Sequence, residues 1–236
     1  MFNFNLRFIL ISHHCNRGCG DYLNMVRASK IMKGMLAIVE GNISAGKTTL
    51  CRDLAKTINF KPYFEPHIEN PWLEKFYNEP KKYAFQLQMF MLHHRFDTFK
   101  SAIKLLEQKD HNGVLLDRSI YSDWVFAKKN YDDGNISEVQ FRQYLEVRQN
   151  MLQQVPIPDV TIYLDVHPEV CLHRIKNVRG IACESSIPIE YLEGLDSCYK
   201  VFLNEMRTIG SNVVIQDWNE FKQDNTLSHY LKKASS

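Results

Sequence analysis

Two rhythms of apolar and polar positions run along the 236-residue chain. Short continuous apolar runs, bounded by polar residues, occur at residues 36–40, 113–117 ("GVLLD"), 159–166 ("DVTIYLDV") and 212–216 ("NVVIQ"), with a weaker one at 62–65. Between them lie longer segments with helical spacing. In the clearest, residues 81–108, Phe85, Met89, Leu92, Phe96, Phe99, Ile103 and Leu106 recur at alternating steps of four and three. That is one apolar stripe on a long helix. Ala84, Gln88, Met91 and Arg95 form a second stripe one residue away, about 100° around the helix. It reads either as a solvated flank or as the wall of a pocket. Residues 137–154 are also predicted helical. A further helix is predicted to begin near Pro188, a residue suited to a first turn, with Leu192, Leu195, Tyr199 and Phe202 on one side. Apolar runs separated by helices predict an α/β fold, a five-stranded parallel sheet covered on both faces.

Composition narrows this little but excludes some classes. With 44% hydrophobic and 24% charged residues, the chain suits one globular domain, expected over residues 35–236. A net charge of +2 lacks the excess of Lys and Arg that a nucleic-acid footprint needs. No apolar run approaches the ~20 residues of a membrane span. The six cysteines, Cys15, Cys19, Cys51, Cys171, Cys183 and Cys198, form no C-x-x-C pair and read as reduced thiols. His13, His14, Cys15 and Cys19 cluster, but their spacing matches no common zinc pattern. Residues 1–34 carry Arg7, Arg17, Arg27, Lys30 and Lys33 against one acid, Asp21. This extension reads as a disordered tail or a transit peptide. The expected location is the cytoplasm, or the mitochondrial matrix if it is a transit peptide.

The chemistry begins at residues 41–48, "GNISAGKT", a G-x-x-x-x-G-K-[ST] loop between a strand and a helix. In that context the loop's N–H groups and the helix N-terminus cradle phosphate. Gly41, Asn42, Ile43, Ser44, Ala45, Gly46, Lys47, Thr48 and Thr49 are the expected nucleotide contacts, Lys47 reaching the outer phosphates and Thr48 ligating Mg²⁺. Asp117 ends a buried strand, where ligands sit in open α/β sheets, and is placed to hold Mg²⁺ directly or through water. Arg118 follows it. The plainer reading of both is a helix cap and a surface ion pair. Glu65, expected to close the second strand, faces the same crevice. Residue type alone leaves its role open. No guanine-reading N-K-x-D is present, and Asp117 is followed by Arg rather than the Glu of many motors. A small-molecule kinase needs a basic lid, and residues 174–186, "RIKNVRGIACESS", fit one.

With these pieces in order, the chain resembles the deoxyribonucleoside kinase family. The resemblance rests on "GNISAGKTT", "FEP", "NPWLEKFYNEPKKYAFQLQ", "LLDRSIYSD", "CLHRI" and "IPIEYLE". It implies the P-loop three-layer fold with an arginine-bearing lid, and transfer of the γ-phosphate of ATP, with Mg²⁺, to a deoxynucleoside 5′-hydroxyl. Glu65 resembles the general base, with Arg118 and Lys47 the other catalytic groups. Tyr77 and Glu184 match the positions that hold the sugar 3′-hydroxyl, Gln88 the one that reads the base edge. Arg95 and Asp123 match a pair found in members that read purines or cytosine. Arg174 and Arg179 match lid arginines that contact the nucleotide, but Ile181 stands where a third is expected, and the spacing is one residue longer. Substrates expected are purine deoxynucleosides, then deoxycytidine, with a homodimer, no nucleic acid and no membrane as partners. The rival readings are a non-catalytic relative serving as a structural subunit, and a nucleoside monophosphate kinase.

Overall fold

The computed structural model describes residues 34–65, 70–108, 111–220 and 225–234. The 1–33 segment, with its transit-peptide reading and its His13–Cys19 cluster, lies outside the described residues. In chain order the elements are β1 (Met35–Gly41), α1 (Lys47–Thr57), β2 (Phe60–Tyr63), α2 (Leu73–Asn78), α3 (Pro80–Glu107), β3 (Gly113–Asp117), α4 (Asp123–Asp132), α5 (Glu138–Leu152), β4 (Val160–Asp165), α6 (Pro168–Arg174), α7 (Ile189–Ile209), β5 (Asn212–Asp217) and α8 (Asn225–Ala234). Five strands pair in parallel in the order β2-β3-β1-β4-β5.

The apolar runs predict this order of burial. β1 and β3, inner strands without alternation, are buried at every position. The edge strand β5 is exposed at Asn212, Ile215 and Asp217. α1 packs against β1, β2 and β3, while α7 packs against α4, α6 and β5. Of the α3 stripe, Leu92, Phe96, Phe99 and Leu106 enter the core, and Phe85, Met89 and Ile103 are partly buried against it. In α7, Leu192, Leu195, Tyr199 and Phe202 are all fully buried.

Boundaries differ from expectation in places. The second strand is Phe60–Tyr63, two residues earlier than predicted, so Glu65 lies beyond the strand rather than closing it. The ladder decides this: Phe60 pairs with Gly113 and Tyr63 with Leu116, after which the chain leaves β3. Pro62 and Lys61 obscure the strand in sequence, and Pro62 is tolerated because β2 is an edge. Pro188 is the N-cap of α7, just before its first turn, and Ser137 caps α5 in a capping box with Gln140. The lid segment is not a plain loop: a π-helical turn, Ile175–Arg179, extends α6, and a 3-10 turn, Ala182–Glu184, follows.

Candidate active site

The carboxyl ends of β1 and β3, the α3 face and the lid segment surround a cavity of about 250 Å³. At its floor is the glycine loop. Gly41 has φ +147°, and an added Cβ there would stand 2.9 Å from the Leu164 carbonyl. Gly46, at φ +103°, caps α1. Ser44 is also left-handed, at φ 59°. Left-handed residues among ordinary ones give the loop the backbone of an anion nest. Ile43, Ser44, Gly46, Lys47, Thr48 and Thr49 line the cavity. Asn42 instead shapes the loop: its amide donates to the Leu192 carbonyl (2.9 Å), and its Oδ1 accepts from the Ile43 N–H (2.8 Å). Ala45 is fully buried in the core. Lys47 Nζ donates to the Asn42 carbonyl at 2.7 Å. Burial, then the Arg118 charge, lowers the Lys47 ammonium to about 7, with Asp117 opposing. The Thr48 hydroxyl donates to Asp117 Oδ2, which brings the two expected metal ligands into contact.

Above the loop is a network of buried ions. Glu65 accepts from Arg95 Nε (2.9 Å) and Nη2 (2.5 Å) on one oxygen and pairs with Arg118 Nε at 3.1 Å on the other. Arg95 Nη1 donates to Asp123 Oδ2 at 2.5 Å. Asp123 Oδ1 accepts from Gln88 Nε2 and from the Tyr144 hydroxyl, each at 2.7 Å. Burial works against the Arg95 charge, but Glu65 and Asp123 outweigh it and hold the guanidinium firmly protonated. Arg118 is likewise raised against its burial, by Tyr199 and Glu65. The Phe126 ring lies under both guanidiniums, 5.3 Å from Arg95 and 4.7 Å from Arg118. Buried charges survive only when paired in this way. Gln88 and Arg95 are thus more buried than Phe85 and Met89, which makes the second stripe of α3 a pocket wall and not a solvated flank.

The lid contributes a third group. Arg179 Nε lies 2.5 Å from Glu184 Oε2, and its Nη2 donates to Oε1 at 3.1 Å. Burial raises the Glu184 carboxyl and Arg179 opposes the shift. Tyr77, its phenol raised well above the usual range by burial, lines the cavity with Glu184.

The chain has matches among known proteins. The family model for deoxynucleoside kinases fits residues 37–234. The chain belongs to the deoxynucleoside kinase family. It is 45% identical over 227 residues to a deoxyguanosine kinase of Dictyostelium discoideum, covering 96% of this chain and 78% of that one. A deoxyadenosine kinase of the same organism is 37% identical over 203 residues, covering 86% and 80%. The solved structure of deoxyadenosine kinase from M. mycoides with bound dATP superposes with TM-score 0.71 at 28% identity, over 86% of this chain and all of that one. The chain is accordingly an enzyme, a phosphotransferase with a nucleotide donor and a deoxynucleoside acceptor.

Set in the deoxynucleoside kinase frame, the sequence-derived residues separate into three groups. Glu65, Tyr77, Gln88, Arg95, Arg118, Arg179 and Glu184 meet around the cavity with the glycine loop and Asp117. Asp123 stands behind that wall, fully buried, and holds Gln88 and Arg95. Arg174, at the cavity's edge, sends its guanidinium to the Ala45, Trp218 and Asn219 carbonyls, at 3.2, 2.9 and 2.9 Å. It braces the glycine loop from the end of α6. Sequence reasoning missed Phe126 and Asn130, which line the cavity from α4. Their signal was present: they follow Asp123 at steps of three and four, on one helix face. Among the described residues, no helix is long and apolar enough to cross a membrane.

Proposed function

We propose that this kinase transfers the γ-phosphate of ATP to the 5′-hydroxyl of a purine deoxynucleoside. The observation that carries the reading is Glu65, a carboxylate held between Arg95 and Arg118 at the cavity that the glycine loop floors. Glu65 accepts the 5′-hydroxyl proton. Arg118 and Lys47 face the charge that develops on the transferred group. Gln88 and Arg95, oriented by Asp123, read the base edge. Tyr77 and Glu184 hold the sugar hydroxyl. The two similar Dictyostelium kinases carry deoxyguanosine and deoxyadenosine in their names, which supports the purine preference. Arg174 supports the nucleotide loop and Arg179 contacts the donor phosphates.

Thr48 and Asp117 suit Mg²⁺: a hydroxyl and a carboxylate oxygen in contact are hard donors, and Mg²⁺ keeps several waters of its own. When bound, the ion supplies charge neutralisation of the donor phosphates. The expected homodimer is tested directly by sedimentation velocity.

The reaction is tested by offering purified enzyme and MgATP deoxyguanosine, deoxyadenosine, deoxycytidine and thymidine in parallel. Purine turnover, with kcat down about 10²–10⁴-fold in Glu65→Gln, is expected. Full turnover in Glu65→Gln overturns the base assignment. Thymidine as best substrate overturns the base-reading role of Gln88 and Arg95.

A further inference from the structure

A buried carboxylate next to the glycine loop has no part in the reaction as read above. Glu40 is the penultimate residue of β1 and is fully buried. Its Oε1 accepts from the Ser119 hydroxyl at 2.7 Å. The Ser119 oxygen accepts in turn from the backbone N–H groups of Tyr121 (3.1 Å) and Ser122 (3.4 Å). Ser119 therefore ties the whole turn between β3 and α4 to the end of β1.

That turn begins at a strained residue. Arg118 has φ +68°, in the left-handed region that a bulky side chain rarely adopts. Such a conformation persists only where its surroundings over-determine it. Three consecutive residues of β1 do so here. The Val39 carbonyl accepts the Arg118 N–H at 3.0 Å, Glu40 takes Ser119, and the Gly41 carbonyl accepts Arg118 Nη1 at 3.0 Å. Arg118 Nη1 also donates to the Tyr199 hydroxyl at 2.6 Å. The outcome is a guanidinium aimed at Glu65. Glu40, unlike Arg118, has no ion partner of its own among the described residues to offset its burial, so a neutral residue there would serve packing better.

We infer that Glu40 is a positioning residue for phosphoryl transfer: through Ser119 it fixes the left-handed turn that aims Arg118 at Glu65 and the reacting phosphate. This rests on the reading of Arg118 and Glu65 given above. Glu40 touches neither substrate nor phosphate and acts through its neighbour.

The experiment compares Glu40→Leu, Glu40→Gln and Ser119→Ala, each alone and in an Arg118→Ala background, by steady-state kinetics with MgATP and deoxyguanosine. Glu40→Leu and Ser119→Ala are expected to lower kcat about 30-fold with nucleoside KM within about twofold, the mark of a misplaced group. Glu40→Gln, which keeps an oxygen for Ser119, recovers kcat to within about threefold of wild type. In the Arg118→Ala background the same changes add less than about twofold, because the group they position is gone. Losses that multiply in full across the two backgrounds overturn the inference, as does wild-type kcat in Ser119→Ala. If Glu40→Leu does not fold, Ser119→Ala carries the test unaided. An Arg118→Ala enzyme with undiminished kcat instead sinks the reading of the site itself, so the two failures are distinguishable.

Discussion

Two sets of ion pairs border the same cavity, and they are assembled in opposite ways. Glu65, Arg95 and the stretch that carries both Arg118 and Asp123 are three separate parts of the chain, every ion pair of the set joins two of them, and the side chains of Glu65, Arg95, Arg118 and Asp123 are 10%, 7%, 5% and 0% exposed. Arg179 and Glu184 are five residues apart in one segment, joined across Gly180, and Arg179 is 22% exposed. The first set exists only when the sheet, α3 and α4 are in place. It is a property of the fold, fixed before any ligand arrives. The second set can form and break within its own turn. A pair of that kind suits exchange: in the proposed reaction a phosphate would take Arg179 and a sugar hydroxyl Glu184, without disturbing the core.

The contrast breaks most readily at Asp123. Replacing it with alanine leaves Arg95 only Glu65 as an ion partner among the described residues and removes the carboxylate that accepts from Gln88 and the buried Tyr144 hydroxyl, so urea denaturation is expected to show a loss of about 3–5 kcal/mol. An equally folded Asp123→Ala protein would mean that the buried set is not built into the fold.

The second largest effect is on pH. Glu40 lies under the buried set, and burial raises its carboxyl to about 7, with Ser122, Ser119, Arg118 and Arg95 pulling against the rise. The folded chain therefore keeps a proton that the unfolded chain releases from pH 4.5 upward. Its contribution is fully present below that value and is lost as pH rises through about 7, a swing of roughly 3 kcal/mol. Glu40→Gln should flatten this slope, being near wild-type stability at pH 5 and more stable at pH 8. Parallel slopes for the two proteins would refute it.

The smallest effect belongs to the lid. Arg179→Ala is expected to cost about 1–2 kcal/mol, since it leaves the buried Glu184 carboxyl without its ion partner but disturbs no other element. It should lower kcat/KM for the donor about tenfold through lost charge stabilisation. A large fall in Tm for Arg179→Ala would erase the distinction between the two sets.

How much of this could be read from sequence follows the same division. The residues of β1, the glycine loop and β3 were legible because an inner strand is a continuous apolar run and the loop motif is local. α3 was legible to within a residue at either end, since its stripe persists along its length. The polar stripe with Gln88 and Arg95 stayed ambiguous until packing showed what faces it. Glu65 was placed correctly at the cavity but wrongly at a strand end, because β2 takes its limits from β3 and not from its own pattern. The three cations of "RIKNVR" look alike in sequence. Only burial separates Arg174, tied to three carbonyls, from exposed Lys176 and from Arg179, paired with Glu184. Glu40 carried no signal at all, because its partner Ser119 is remote in the chain.

The Asn42 bond to the Leu192 carbonyl spans 150 residues, and it sets a timetable for the nascent chain. At about 5–20 residues per second, a ribosome needs roughly 8–30 seconds to travel from one partner to the other. During that interval β1 has been made but β3, β4 and α7 arrive only in turn, so a strand meant for the centre of the sheet waits without neighbours. A chain stalled before residue 192 carries the complete phosphate-loop motif without the carbonyl that Asn42 holds in the finished fold. The exposed apolar strand is what a cellular chaperone would meet first.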